Sequence, residues 1–318
     1  MKLLITGALG HIGSRFLHTI HPGTYDEVVV LDNLSTQRYC SLFNLPTGAP
    51  FRFVEADVCK ADLESLFAGI DTVIHLAAIT DAANSFAIQS EVERVNLGGT
   101  ERVARACVAQ GCRMAFVSTT SVYGSQEDEV DEGCPLEQLR PQSPYAKSKL
   151  RAEQLLQEMG RASGLRFLIC RLGTIFGCSP GMRFHTAVNK FVWQACVGEP
   201  LTVWRTAMKQ RRPYLDVRDA VNALDFLLKR ELFDGRIWNV VTANKTVEQI
   251  VRIISSRVED VVIKYVDSPV MNQLSYTVRS DRLRTEGFEF TGDLEAGILE
   301  SIELLSGVRQ LTARLAAD

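Results

Sequence analysis

Gly7-Ala8-Leu9-Gly10-His11-Ile12-Gly13 follows the strand-like Lys2-Leu3-Leu4-Ile5-Thr6 and runs into a stretch with apolar residues at helical spacing. Three glycines at this spacing let a strand turn sharply into a helix whose first amides face a pyrophosphate. Glycines also mark ordinary turns, so the weight comes from Asp32, roughly 20 residues on, where an acidic side chain meets the ribose hydroxyls of an adenosine. The stretch predicts a dinucleotide site, with Gly7, Gly10, His11, Ile12 and Gly13 at the pyrophosphate and Asp32 and Asn33 at the ribose. A carboxylate there repels a 2′-phosphate, which favours NAD over NADP. Arg38, several residues farther along, is the charge that could offset this.

Val28 to Leu31, Phe51 to Val54, Thr72 to Leu76 and Met114 to Val117 are short apolar or β-branched runs, separated by segments with helical spacing. Apolarity that is continuous rather than alternating suggests strands covered on both faces, hence a parallel sheet with right-handed crossovers. A further strand is expected at Phe167 to Cys170, after a long helix that starts near Tyr145. The fold class is therefore α/β, a Rossmann-like doubly wound parallel sheet with a smaller C-terminal substrate-binding lobe. The expected boundaries are 1–176 for the NAD-binding domain and 177–318 for the lobe, with residues 214–241 returning to the first domain. Pro180-Gly181, Gly198-Glu199-Pro200 and Arg211-Arg212-Pro213 punctuate shorter elements in the lobe. Helices are expected over 217–228, with Asp216 or Asp219 near the start, and over 294–305, with fraying of the last residues.

The 318 residues carry 35 Lys and Arg against 38 Asp and Glu, a net charge of −3, so no basic field attracts nucleic acid or an anionic membrane. A small-molecule partner is expected. Eight cysteines lie scattered without a CxxC pair and five histidines are too few to complete a zinc pattern, which sets aside metal and disulfide readings. No run approaches the roughly 18 apolar residues of a membrane span, and the first residues enter a strand without a charged leader. The expected location is cytoplasmic.

Tyr145-Ala146-Lys147-Ser148-Lys149 places a phenol and an ammonium four positions apart on one helix face. A phenol ordinarily loses its proton near pH 10, and a neighbouring cation together with the positive nicotinamide ring favours the phenolate. Such a pair on a surface helix also arises by chance. Context adds to it: Ser118-Thr119-Thr120-Ser121-Val122-Tyr123-Gly124 follows directly on the Met114 to Val117 strand, at the edge where open α/β sheets bind ligands.

At this point the chain resembles the extended short-chain dehydrogenase/reductase family, specifically its NAD-dependent nucleotide-sugar epimerases and dehydratases. Six ordered features carry the resemblance: the Gly7/Gly10/Gly13 turn, Asp32, Asp57-Val58, His75-Leu76-Ala77-Ala78, Ser118-Thr119 and Tyr145/Lys149. The resemblance implies that Asp57 and Val58 contact adenine, that Leu76, Ala77 and Ala78 line the cofactor cleft with Ser118, and that Asn96 steadies the strand ends near the nicotinamide. Thr119, Tyr145 and Lys149 become the reacting triad. Each has a plainer alternative: Asp57 could start a turn, His75 could be packed strand, and Asn96 could cap a helix.

The family's dehydratases carry Asp-Glu directly after the Thr, whereas Thr120-Ser121 here does not ionise usefully. The implied function is an NAD-dependent nucleotide-sugar 4-epimerase, acting on a nucleotide-diphosphate sugar of UDP type. A nucleotide-sugar 4-dehydrogenase with a GDP-heptose-like substrate is the alternative, because Ser179 to Asn189 is similar to a subgroup containing heptose dehydrogenases. A dehydratase ranks lower and a non-catalytic NAD-binding regulator last. On the substrate side the resemblance implies Thr120, Thr174 (where the epimerases usually have Asn), Arg183, Asn189 and Arg212, while Cys178 is read as packing. A homodimer through the helices at 100–110 and 146–159 is also implied, although their alanines and leucines could equally face the core.

Overall fold

The computed structural model describes residues 1–124, 129–267 and 275–315. Strand β1 (Lys2–Thr6) leads through Gly7 to helix α1 (His11–Thr19), followed by β2 (Glu27–Asp32), β3 (Phe51–Glu55), β4 (Thr72–His75) and β5 (Arg113–Thr119). With strands Phe167–Leu172 and Ile237–Val240 they form a seven-stranded sheet, running from Ile237–Val240 through Phe167–Leu172, β5, β4, β1 and β2 to β3. Every pairing in it is parallel. Leu3, Leu4 and Ile5 are fully buried, as are Val28, Val29 and Val30, because helices cover both faces.

On one face α1 and helix Val217–Lys229 pack Phe16, Leu17 and Leu224 into a core shared with Trp238. On the other, Val103 and Ala104 of helix Gly99–Gln110 pack with Ala152 and Leu156 of helix Pro144–Ser163. Ala104 and Ala152 thus belong to the core of this domain. Asp216, not Asp219, caps helix Val217–Lys229 by accepting from the Arg218 amide. Asp219 is buried and accepts instead from the Thr242 hydroxyl at 2.6 Å and from the Thr291 and Gly292 amides. The C-terminal helix runs Leu294–Leu315, longer than its sequence reading. The last three residues, where fraying is expected, lie outside the described residues.

Beyond the C-terminal ends of the large sheet lies a three-stranded sheet in which Arg211–Asp216 pairs antiparallel with Ala243–Thr246 and parallel with Thr174–Phe176. Its core gathers Phe176, Val192, Ile250, Ile254 and Ile298. In the large sheet the chain order reverses between β1 and β4, and crevices that bind ligands open at such a switch point. Among the described residues no helix is long and apolar enough to cross a membrane.

Two glycines fix the turn into α1. Gly7 takes the left-handed φ of +64°, and a Cβ there would lie 2.6 Å from the Ala77 amide nitrogen. A Cβ on Gly13 would lie 2.4 Å from the Ala8 carbonyl oxygen, so helix and turn meet backbone to backbone. Gly13→Val is expected to destabilise the protein by more than about 2 kcal/mol and to lower Tm by several degrees. Gly98→Ala, at a helical φ of −62° with nothing within 4 Å of the added methyl, is expected to leave Tm unchanged or slightly raised. Thermal melts of the pair check both.

Candidate active site

The crevice at the switch point widens into a cavity of about 360 Å³ between the two sheets, within the size range of small-molecule sites. Gly7, Gly10, His11, Ile12 and Gly13 line one end. Gly10 caps α1 without a side-chain bond and the first turn holds no acid, so its leading amides and positive helix end remain available to an anion. Asp32 is buried and accepts from the amides of Leu9 at 3.0 Å and Leu34 at 2.9 Å, which braces the turn. Asn33 accepts from the Ser35 amide. These features fit a dinucleotide diphosphate.

Leu76 and Ala78 line the cavity, while Ala77 presses its backbone on Gly7. Asp57 and Val58 are not in the lining: Asp57 accepts from the Cys59 amide as in a turn, and Val58 is buried beneath helix Gly99–Gln110. Asn96 does not cap a helix. It sits in a π-helical stretch (Glu93–Gly98), accepting from the Ile79 amide and donating to the Ile79 carbonyl and the Ser148 hydroxyl. A local π turn of this kind often marks a functional site. His75 is fully buried between the hydroxyls of Thr6 and Thr100, 2.7 and 3.1 Å away. Burial, with the nearby Lys149 charge, holds it down at about 3, so it stays neutral.

Thr119, Tyr145 and Lys149 meet in the middle of the cavity wall. β5 ends at Thr119, and Ser143 caps helix Pro144–Ser163 through the Ala146 amide, with Pro144 in the first turn. That start places Tyr145 in the cavity wall. Burial pushes the phenol above its ordinary pKa of 10, while a hydrogen bond with Thr119 and the charge of Arg183 pull it back. Lys149 donates to the Val117 carbonyl at 2.8 Å and lies over the Phe116 ring. Burial lowers its pKa from 10.5 to about 7, opposed by the Glu153 carboxylate.

Ser118 also lines the wall but donates its hydroxyl to Glu153. Thr120 is turned away, donating to the Leu172 carbonyl at 3.3 Å, and Ser121 faces the cavity instead. At the far end Thr174, Lys190, Arg212 and Tyr214 line it. Arg212 donates to Gln210 and lies over Trp204, but its Nε is buried without a partner, as is the Tyr214 hydroxyl. Asn189 is fully buried outside the lining and donates to the Arg183 carbonyl at 2.9 Å. Arg183 reaches the glycine end, where its Nη1 donates to the Thr80 hydroxyl.

One grouping was missed from the sequence. Glu153 and Arg171, both 3% exposed, pair at 2.6 Å behind Lys149, and Ser118 donates to the same carboxylate. The spacing Tyr145, Lys149, Glu153 continues the helix face by another four residues and was the available signal.

This geometry coincides with a match over residues 3–240 to the NAD dependent epimerase/dehydratase family. The chain belongs to that family. It is 30% identical over 320 residues, 95% of this chain, to a trifunctional UDP-glucose 4,6-dehydratase, UDP-4-keto-6-deoxy-D-glucose 3,5-epimerase and UDP-4-keto-L-rhamnose-reductase of Arabidopsis thaliana. It spans about half the length of that relative (47%). A UDP-glucose 4-epimerase of Thermus thermophilus in complex with NAD superposes with TM-score 0.81 at 25% identity, covering 96% of this chain and 99% of that one. A dTDP-glucose 4,6-dehydratase of Streptomyces venezuelae with NAD and TYD bound superposes with TM-score 0.84 at 25% identity, covering 98% of each. The protein is thus an enzyme of an NAD-dependent epimerase/dehydratase family with a Rossmann-like fold.

Within this family member, the charge on Lys149 depends on its surroundings. The groups that face it are the Glu153 carboxylate on its own helix, neutral His75 on β4, and Arg171 beyond Glu153. Glu153→Gln removes the only anion among these and leaves the Arg171 charge unbalanced. An ammonium that loses its facing carboxylate gives up its proton more easily, so Lys149 is expected to titrate at lower pH in the variant. A heteronuclear NMR titration of the Lys149 amine checks this, and an unchanged or raised midpoint contradicts it.

Proposed function

We propose that this enzyme is a nucleotide-sugar 4-epimerase that acts on a UDP-sugar with NAD as its cofactor. The observation that carries the reading is the chemistry beside Thr119. Elimination of water needs an acid and a base at the sugar, yet the next two residues, Thr120 and Ser121, are hydroxyls. Among the described residues the cavity lining holds one carboxylate, Asp81, whose Oδ1 accepts from the amides of Ala83 and Asn84. Oxidation and re-reduction at one carbon need no such pair.

NAD, when bound, supplies the acceptor and donor of hydride. Tyr145 takes the proton of the C4 hydroxyl and returns it when the sugar is reduced again, with Thr119 hydrogen-bonded to the phenol and holding the hydroxyl in line. Lys149 stabilises the phenolate electrostatically. Arg212, Lys190 and Tyr214 hold the diphosphate end of the substrate, where a planar guanidinium can bind two oxygens at once. The similar proteins of Arabidopsis and Thermus are both named for UDP-glucose, which supports a uridine nucleotide.

The test is to incubate the enzyme with UDP-glucose and other UDP-sugars and to follow C4 configuration by NMR. A C4-inverted product is expected without net formation of NADH. Accumulation of keto sugar with stoichiometric NADH would make it a dehydrogenase, and a 4-keto-6-deoxy product a dehydratase. Tyr145→Phe is expected to reduce turnover by about 10²–10⁴-fold, the usual contribution of a positioned acid/base, while melting and NAD binding stay as in the parent. Activity of Tyr145→Phe within threefold of the parent contradicts the assigned role.

A further inference from the structure

The segment 177–185 leaves strand Thr174–Phe176 and crosses directly over the glycine-rich turn before helix Ala187–Cys196 begins. It is pinned at several points. His11 Nε2 bonds to the Gly177 carbonyl at 2.8 Å, and Ser14 Oγ both donates to Ser179 Oγ at 3.2 Å and accepts from the Gly181 amide at 2.9 Å. On its other edge Cys40 Sγ donates to the Pro180 carbonyl. A Cβ on Gly181 would lie 2.2 Å from the Leu9 carbonyl oxygen, so backbone meets backbone here too. His11 and Ser14 are side chains of α1, the helix whose amides face the cavity.

One charged side chain rides on this segment into the cofactor end. Arg183 Nη2 lies 3.4 Å from where a Cβ on Gly10 would stand, Nη1 donates to Thr80, and Nε is buried with no partner in the protein. Asn189 fixes its backbone by donating to the Arg183 carbonyl. The titratable groups whose fields reach the guanidinium are Arg38, Tyr145, Asp32 and Asp81, with His11 and His185 beside it. Arg38 comes from the loop after β2, and its charge and that of Arg183 repel one another. Like charges gathered beside a positive helix end, one with a buried unpartnered N–H, are what an anion stabilises.

We propose that Arg183 is a cofactor-binding residue: its guanidinium grips the dinucleotide diphosphate from the side opposite the α1 amides, and segment 177–185 straps the cofactor against the glycine-rich turn. This moves Arg183 from the substrate, where its sequence context placed it, to the cofactor. It rests on the family's use of NAD and is independent of what becomes of the sugar. The strap joins the second sheet to the cofactor cleft, so cofactor release requires these hydrogen bonds to open.

The test measures binding by the full-length protein freed of nucleotide. Calorimetric titrations use NAD, ADP-ribose and UDP, and ligand-observed NMR uses adenosine, which has no phosphate. Arg183→Met is expected to weaken NAD and ADP-ribose by about 10–100-fold, the loss of charge-assisted hydrogen bonds. Adenosine and UDP are expected to change by less than threefold. Arg183→Lys, which keeps the charge without the fork, is expected to fall between parent and Met variant, and it carries the test if the Met variant does not fold. Unchanged NAD and ADP-ribose affinity overturns the proposal, as does a loss that falls on UDP or that appears equally for adenosine. A chain that binds NAD through Arg183 yet inverts no UDP-sugar leaves this inference standing and removes only the epimerase reading.

Discussion

Backbone contact at the glycine-rich turn is the constraint on which the rest of this structure depends. Gly7 lies against Ala77, Gly13 against Ala8, and Gly181 against Leu9 and Gly10, each at a distance no Cβ could occupy. The first contact seats β1 beside β4 at the switch point, the second brings α1 down on the turn, and the third lays segment 177–185 across both. Main chain from three separate parts of the sequence therefore meets at this turn. The position of the cleft is set by these steric approaches, and its side chains are arranged around a floor that has little freedom to move.

Behind the wall runs a second constraint, which is electrostatic. Burying Lys149, Glu153 and Arg171 in one place is costly unless each charge meets another. Here they form a chain: Lys149 over Phe116 and on the Val117 carbonyl, then Glu153 accepting from Ser118 and Arg171, then Arg171 over the Tyr123 ring. The chain ties β5, helix Pro144–Ser163 and strand Phe167–Leu172 together at their ligand ends. Its effect on stability and its effect on the charge of Lys149 have one origin, since the carboxylate that balances Arg171 also favours the ammonium.

A protein named as a UDP-glucose 4-epimerase and one named as a dTDP-glucose 4,6-dehydratase both superpose on this chain, so the fold by itself does not fix the reaction. In this chain hydroxyls occupy positions 120 and 121, of which Ser121 faces the cavity, and Thr174 lines the same cavity.

Much of this was legible in the order of residues. Continuous apolar runs gave the parallel strands, the glycine spacing gave the strand-to-helix turn, and Thr119, Tyr145 and Lys149 could be picked out because each belongs to a pattern only a few residues long. Local periodicity and backbone conformation determine such features before the chain has folded. Only the tertiary structure decided that Asn96 braces Ile79 instead of capping a helix, and that Ser121 rather than Thr120 faces the cavity. It also decided that Glu153 and Arg171 back Lys149 and that Arg183 lies beside Gly10, bonded to a threonine 103 positions away. Those outcomes turn on which distant segments come within a hydrogen bond of one another, and burial and charge settle that only when the sheets have packed.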